Sequence, residues 1–314
     1  MKKIMFLLLT AGFLITNCGW AIQALALEEA EAETVDIYDA MQADETMNEG
    51  EIIAKYSGLC YSYLELDQVP ILSVYKEDGE YKSLLIFLHG LGSKKESLLP
   101  VLSAYAEAGY YAVAIDAYDH GARCSNEMYC DMWASMLLTV RDVDRVIGYF
   151  EDVPEVDTDN FVLGGFSMGS IETCIYAEIG ERDPSALMSF SGLCEYDAWQ
   201  PAVRTRLSYM WLKPWKSSVW AFTERQEPTY SDDKFEMIRS MDVTDNLSSF
   251  DGIPIFISIG DIDTYFCASN IKSVAETIEE NGNEKVTFIA YTNIGHELTE
   301  KMIEDSISFL SESI

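Results

Sequence analysis

Gly164-Gly165-Phe166-Ser167-Met168-Gly169-Ser170 is the stretch that decides the fold of this chain. It contains Gly-x-Ser-x-Gly, follows the apolar run Phe161–Leu163 and precedes Ile171–Ile179, which favours a helix. A strand, a sharp turn that carries a serine, and a helix form the context of a nucleophile elbow. Side chains two residues before and after the serine would clash in so tight a turn, which explains the glycines. A glycine-rich turn that only packs a helix on a strand is the competing interpretation.

Strands and helices alternate from residue 52 onward. The predicted strands are Tyr61–Leu66, Ile71–Tyr75, Leu84–Leu88, Tyr111–Ile115, Phe161–Leu163, Ala186–Phe190, Ile255–Ile259 and Val286–Ala290. The predicted helices are Leu98–Ala108, Met132–Phe150, Ile171–Ile179, Val274–Glu280 and Met302–Leu310. Short continuous apolar strands between helices are typical of a parallel sheet that is buried on both faces. We therefore predict an α/β fold with a mostly parallel central sheet.

A long insertion interrupts this alternation. More than 60 residues separate Phe190 from Ile255, too many for a simple crossover. We predict a helical cap at about residues 193–250, over the carboxyl edge of the sheet. The aromatic residues of this cap either line an acyl pocket or only attach the cap to the rest of the domain. These residues are Tyr196, Trp199, Tyr209, Trp211, Trp215, Trp220 and Phe222.

The N-terminal region resembles an export signal. Met1-Lys2-Lys3 precedes the apolar run Ile4–Ile15, and Ala24-Leu25-Ala26 supplies a small-x-small cleavage pattern. We predict a signal peptide over residues 1–26, an acidic flexible spacer over 27–51 and the folded domain over 52–314. The chain is thus expected to be secreted. A lipoprotein signal with Cys18 as the lipidated residue, or retention of the segment as an uncleaved anchor, is the alternative. We expect contact with a membrane only if the chain is anchored, through a lipid on Cys18 in the first case.

The charge of the chain excludes some partners. With 21 basic and 53 acidic residues the formal net charge is −32, which repels nucleic acid and anionic lipid. Cys124 and Cys130 are close enough in sequence to form a disulfide, although spacing does not fix pairing. There is no Cys-x-x-Cys pair and no histidine cluster, so we expect no metal site and no cofactor.

A serine nucleophile needs a general base, and the three histidines allow elimination. They are His89, His120 and His296. The nucleophile-elbow fold orders its triad serine, acid, histidine along the chain. Only His296 follows Ser167, so it is the predicted base. The acid should lie at the end of a strand between Ser167 and His296 in the sequence. Asp263 is the preferred candidate, and Asp261 is the alternative.

Two backbone N–H groups should stabilise the oxyanion of such a reaction. One belongs to Met168, the residue after the serine, and the other to the loop after the Leu84–Leu88 strand, most simply Leu91. His89 and Gly90 open that loop and are expected to shape it.

Together these segments resemble the α/β-hydrolases, more narrowly the small bacterial carboxylesterases of the dienelactone-hydrolase and prolyl-oligopeptidase-like branch. The resemblance is carried by residues 85–90, 115–123, 165–169 and 260–263, and it covers about residues 60–314. It implies hydrolysis of short-chain acyl esters through an acyl-enzyme on Ser167. It also implies that Asp119, His120 and Arg123 shape the site or brace its loop.

Two other functions are compatible with the same residues. A small serine peptidase or aminopeptidase would use the same triad on an amide. A catalytically silent surface module would keep the fold and bind without turnover. For the esterase, the expected substrate is a small-molecule ester or a glycan ester.

Overall fold

The computed structural model describes residues 51–56, 58–124, 132–195, 198 and 239–314. The signal peptide, the acidic spacer up to residue 50 and Cys18 therefore lie outside the described residues. So do Cys130 and the seven aromatic residues named above for the predicted cap.

One sheet of nine strands organises the described part of the chain. The strands are β1 (Glu51–Tyr56), β2 (Leu59–Leu66), β3 (Val69–Tyr75), β4 (Lys82–Leu88), β5 (Tyr111–Ile115), β6 (Val156–Phe166), β7 (Ala186–Phe190), β8 (Ile255–Gly260) and β9 (Val286–Tyr291). Their order is β1-β2-β3-β5-β4-β6-β7-β8-β9. The first three strands pair antiparallel, β3 pairs antiparallel with β5, and every pair from β5 to β9 is parallel.

Helices cover both faces of the sheet, because its central strands are apolar on both sides. They are α1 (Leu99–Glu107), α2 (Met132–Phe150), α3 (Met168–Ile179), α4 (Ala268–Glu280) and α5 (Glu300–Ser313). Helices α2, α3 and α4 bury their apolar residues in one cluster, and α1 and α5 bury theirs in another on the opposite face. No helix among the described residues is long and apolar enough to cross a membrane.

The structure confirms the α/β architecture and refines several boundaries. Tyr111–Ile115, Ala186–Phe190 and Met132–Phe150 end where the sequence predicts. Strand β1 was not predicted, and it starts at Glu51, the last residue assigned to the spacer. Strand β6 begins at Val156 rather than Phe161, because its polar first half still pairs with β4 through Val156 and Lys82.

Both ends of the insertion pack against the same side of the sheet. Leu193 and Cys194 after β7, and Val243 and Phe250 before β8, are buried in the cluster formed by α2, α3 and α4. The described residues on the β8 side form two short 3-10 helices, Val243–Asp245 and Leu247–Phe250. Parallel strands place their carboxyl ends at one edge, so the loops after β4, β5, β6, β8 and β9 converge there.

Candidate active site

The turn after β6 has the strained geometry of a nucleophile elbow. Ser167 lies at φ 57° and ψ −110°, a conformation that a residue with a side chain rarely adopts. A Cβ on Gly165 would lie 2.2 Å from the carbonyl oxygen of Gly169, and one on Gly169 would lie 2.2 Å from the carbonyl oxygen of Leu88. Glycine is therefore required at both positions, and the serine side chain projects from the tip of the turn between β6 and α3.

Ser167, His296 and Asp263 form one hydrogen-bonded row. His296 Nε2 lies 2.8 Å from Ser167 Oγ, and His296 Nδ1 lies 2.8 Å from Asp263 Oδ2. An ionised carboxylate only accepts, so Nδ1–H donates to Asp263 and leaves Nε2 to accept the serine hydroxyl. In this arrangement the imidazole can take the serine proton, and the carboxylate can stabilise the imidazolium that forms.

The two candidate acids have different partners. Asp263 is fully buried, and its second oxygen, Oδ1, accepts the N–H groups of Tyr265 at 2.7 Å and Phe266 at 3.0 Å. Those bonds fix the carboxylate in the orientation that reaches His296. Asp261 is exposed and accepts the N–H of Asn293 at 2.7 Å. It therefore holds the turn after β9 and does not bond the imidazole.

Aromatic rings enclose the imidazole of His296. The ring of Tyr265 lies 4.4 Å away, that of Phe166 5.1 Å and that of Phe266 6.0 Å, measured between centroids. The His296 side chain is only 7% exposed as a result. These rings shield the imidazole from bulk water.

Two backbone donors beside Ser167 lack acceptors. In the part of the chain that the structure describes, neither the N–H of Leu91 nor that of Met168 has a hydrogen-bond acceptor. The Leu91 loop packs on the elbow, since a Cβ on Gly90 would lie 3.4 Å from Ser167 Cβ. Unpaired N–H groups in the turn of a nucleophile and in the loop packed on that turn can receive a developing oxyanion.

His89 has a structural position at the base of this loop. Its Nδ1 bonds the carbonyl of Gly90 at 2.8 Å, and its Nε2 accepts the N–H of Ala117 at 3.0 Å. An accepting Nε2 requires the neutral ring. Burial lowers the pKa of His89 to about 4, which keeps the ring neutral at physiological pH. His89 thus joins the loop after β4 to the loop after β5.

The loop after β5 contains the run Asp-x-x-Asp-His-Gly-x-Arg at residues 116–123, and the side chains of His120 and Arg123 brace this loop. His120 Nδ1 donates to the carbonyl of Tyr118 at 2.9 Å, and burial lowers the pKa of the His120 ring. Arg123 Nη1 donates to the Asp116 carbonyl at 3.2 Å and to Asp142 Oδ2 at 2.6 Å. Asp119 has φ 60° and is partly buried, and burial raises the pKa of its carboxyl. None of these side chains bonds Ser167, His296 or Asp263 among the described residues.

Other residues near the site were missed by the sequence reasoning. Ser170 Oγ lies 2.6 Å from Ser189 Oγ and 2.9 Å from the carbonyl of Gly192, which ties α3 to the end of β7 below the elbow. Lys95 is buried after the Leu91 loop. A signal for Lys95 was present, because it precedes Leu98, Leu99 and Leu102 at the i, i+3, i+4, i+7 spacing of a buried helical face.

Exposed apolar side chains surround the carboxyl edge of the sheet. Leu91 after β4, Tyr118 after β5 and Ile262 after β8 are 36%, 39% and 59% exposed. Each comes from a different loop at the edge that carries Ser167. Within the described residues, no group of histidine, cysteine and acidic side chains could hold a metal ion.

Comparison with protein families gives a match to "Serine aminopeptidase, S33" over residues 79–247, just over half of the chain. The match includes Ser167 and ends before Asp263 and His296. Among curated proteins, the chain is similar to "Putative esterase YitV" of Bacillus subtilis (strain 168), with 32% identity over 111 residues. That similarity spans 33% of this chain and 44% of the relative, less than half of its length.

Solved structures share the fold at low sequence identity. TT1662 from Thermus thermophilus has a TM-score of 0.63 at 21% identity, covering 81% of this chain and 97% of its own. The Pyrococcus furiosus esterase Pf2001 has a TM-score of 0.57 at 17% identity, covering 85% of this chain and 99% of its own. At these identities the likeness establishes the fold alone.

Proposed function

From the premise that the chain belongs to the serine aminopeptidase S33 family of α/β-hydrolases, we propose that it is an exported serine esterase. Its substrates would be carboxylic esters with short acyl chains. The observation that carries the proposal is the hydrogen-bonded row of Ser167, His296 and Asp263, with 2.8 Å at each of its two links.

The proposed reaction has two halves. Ser167 Oγ attacks the ester carbonyl carbon while His296 Nε2 accepts its proton, and the tetrahedral oxyanion lies between the N–H groups of Leu91 and Met168. The intermediate expels the alcohol, which takes the proton from His296, and leaves an acyl group on Ser167. Water then attacks the acyl carbon with His296 again as base. The bond between Ser167 Oγ and the acyl carbon breaks, His296 returns the proton to Oγ, and the acid leaves. Each backbone donor is expected to contribute about 3 kcal/mol to stabilisation of the transition state.

The surroundings of the serine support an uncharged substrate with an apolar part. The exposed side chains of Leu91, Tyr118 and Ile262 offer apolar surface on three loops of the same edge. The strong negative charge of the chain disfavours anionic substrates. A neutral ester with a short acyl chain satisfies both conditions.

Turnover of p-nitrophenyl acetate and butyrate by purified protein tests the proposal. Ser167→Ala should abolish turnover, and Ser308→Ala, which changes an exposed serine on α5, should leave kcat within twofold. Unchanged activity in Ser167→Ala would refute the assignment of Ser167 as the nucleophile. A series of acyl chain lengths would then define the acyl preference.

A peptidase is the second candidate, because the matching family is described as serine aminopeptidases. Comparing kcat/KM for an aryl ester with that for an aminoacyl-anilide separates the two functions. A clear preference for the anilide would favour the peptidase. A silent binding module would not react with a fluorophosphonate probe at Ser167, whereas either enzyme would.

Export is proposed from the N-terminal pattern alone. The charged start, the apolar run Ile4–Ile15 and Ala24-Leu25-Ala26 support cleavage after Ala26. N-terminal sequencing of protein recovered outside the cell should begin at Leu27. A mature chain that begins at a lipidated Cys18 would favour the membrane-anchored alternative.

A further inference from the structure

The loop that carries Leu91 is held at both ends by Asp116 and Ala117, the two residues that follow β5. At its start, His89 Nε2 accepts the N–H of Ala117 at 3.0 Å. At its end, the N–H of Lys95 donates to Asp116 Oδ1 at 2.8 Å. The position of the Leu91 N–H is therefore set by where Asp116 and Ala117 hold this loop.

The side chain of Lys95 forms a buried ion pair with Asp116. Its Nζ lies 2.9 Å from Asp116 Oδ2 and 2.5 Å from Glu96 Oε1, and it sits 4.8 Å from the centre of the Tyr63 ring. Lys95 is 1% exposed and Asp116 is fully buried. Burial opposes the charge of Lys95, but Glu96 and Asp116 outweigh it, so the pKa of Lys95 is raised.

The Asp116 carboxylate joins two loops at one point. Besides both nitrogens of Lys95, it accepts the N–H of Ala122 at 2.9 Å through Oδ2. Gly121 packs directly against it, since a Cβ there would lie 2.2 Å from Asp116 Cγ. The loop after β4 and the loop after β5 are thus fixed to the same buried group.

Stability alone does not explain a charged pair at this place. Desolvation costs several kcal/mol for each ion, and apolar replacements of buried ion pairs are often neutral or stabilising. Directional bonds to a backbone N–H are what apolar side chains cannot supply. The loop so oriented packs against the elbow, where a Cβ on Gly90 would approach Phe166 to 3.3 Å and Ser167 to 3.4 Å.

We propose that Lys95, acting through Asp116, is a positioning residue that fixes the Leu91 N–H for the developing oxyanion. The inference rests on the proposed ester hydrolysis. Lys95 touches no reacting atom. Its loss would misplace a donor that is used mainly in the transition state, so kcat should fall while KM changes little.

Lys95→Met, which keeps the length of the side chain and removes the charge, tests this role. The matched control is Lys76→Met, which removes a partly exposed lysine paired with Glu107 on α1. The readouts are kcat and KM for p-nitrophenyl butyrate, the inhibition constant of an alkylboronic acid that forms a tetrahedral adduct with the serine, and the midpoint of thermal unfolding.

We expect kcat to fall about 10- to 100-fold in Lys95→Met and the boronic acid to bind more weakly by a similar factor. KM should stay within twofold, and Lys76→Met should match the wild type.

Two results would overturn the inference. One is a folded Lys95→Met with kcat and boronic acid affinity within twofold of wild type. The other is a loss of thermal stability with no selective loss of boronic acid binding, which indicates a purely structural role. Should Lys95→Met not fold, Asp116→Asn takes its place with the same readouts, because it retains an oxygen for the Lys95 N–H. A wild type without ester turnover refutes the proposed function itself, whereas an active wild type with an unaffected variant refutes this inference alone.

Discussion

Asp263 bonds His296 through one carboxylate oxygen and the backbone of its own loop through the other. Oδ2 lies 2.8 Å from His296 Nδ1, while Oδ1 accepts the N–H groups of Tyr265 and Phe266. The loop after β8 therefore orients the carboxylate before any substrate is present. Asp261, two residues earlier, has no such bond to the imidazole and serves the turn at Asn293.

Asp263→Asn should lower kcat for p-nitrophenyl butyrate by about 10³- to 10⁴-fold with little change in fold. An amide has nearly the same shape, but its NH₂ cannot accept the Nδ1 proton, so the imidazole loses the tautomer that accepts from Ser167. Steady-state kinetics together with circular dichroism checks this outcome.

The control for this variant is Asp261→Asn, which should keep kcat within about threefold because its partner is a backbone N–H. If Asp261→Asn loses activity as severely as Asp263→Asn, the assignment of the acid is wrong.

Gly169→Ala should disable the elbow. The added Cβ would meet the carbonyl oxygen of Leu88 at 2.2 Å, so α3 or β4 must move. We expect the variant to lose about 3 kcal/mol or more of unfolding free energy and most of the proposed ester turnover. Chemical denaturation and ester turnover provide the two measurements.

Gly148→Ala is the matched substitution for that experiment. Gly148 lies inside α2, and a Cβ there would have nothing within 4 Å. Alanine should stabilise the chain by about 0.5–1 kcal/mol through its higher helix propensity, with unchanged turnover. Destabilisation by both substitutions to the same extent would contradict the steric argument.

Much of the fold and the proximity of the three proposed catalytic side chains could be predicted from the sequence. Ser167 stands in a motif whose geometry requires glycines, and histidine scarcity leaves His296 as the one histidine after it. Short continuous apolar runs such as Tyr111–Ile115, placed between helices, predict strands of a parallel sheet that is buried on both faces.

Other parts depend on tertiary contacts that a linear pattern does not contain. Asp261 and Asp263 both follow β8, and only the bonds of the folded loop separate their roles. The helical spacing of Lys95 with Leu98 indicates that Lys95 is buried, but it does not indicate the ion pair with Asp116, 21 residues later. The polar start of β6 is a strand because β4 pairs with it, not because of its own composition.

Glu178 should make folding stability depend on pH. It lies on α3, and its Oε1 is buried without a hydrogen-bond partner among the described residues. Burial raises the pKa of this carboxyl to about 9, and the negative charges of Asp242 and Glu195 add to the effect. Glu195 accepts from the Thr244 hydroxyl at 2.7 Å, so it cannot turn away from this cluster without losing that bond.

The sign follows from the two pKa values of Glu178. Below about pH 4.5 the carboxyl is protonated in the folded and the unfolded chain, and it has no effect on the pH dependence of stability. Between about pH 4.5 and 9 the unfolded chain releases the proton while the folded chain keeps it, so the unfolding free energy falls as pH rises.

Glu178→Gln cannot ionise and should escape this loss. At pH 8 we expect it to be more stable than wild type by about 1–2 kcal/mol, less than the full shift implies because the side chain is only partly buried. Thermal unfolding of both proteins at pH 5 and pH 8 measures the difference, with the exposed Glu181→Gln as control. A gain that is the same at both pH values would show that ionisation of Glu178 is not its source.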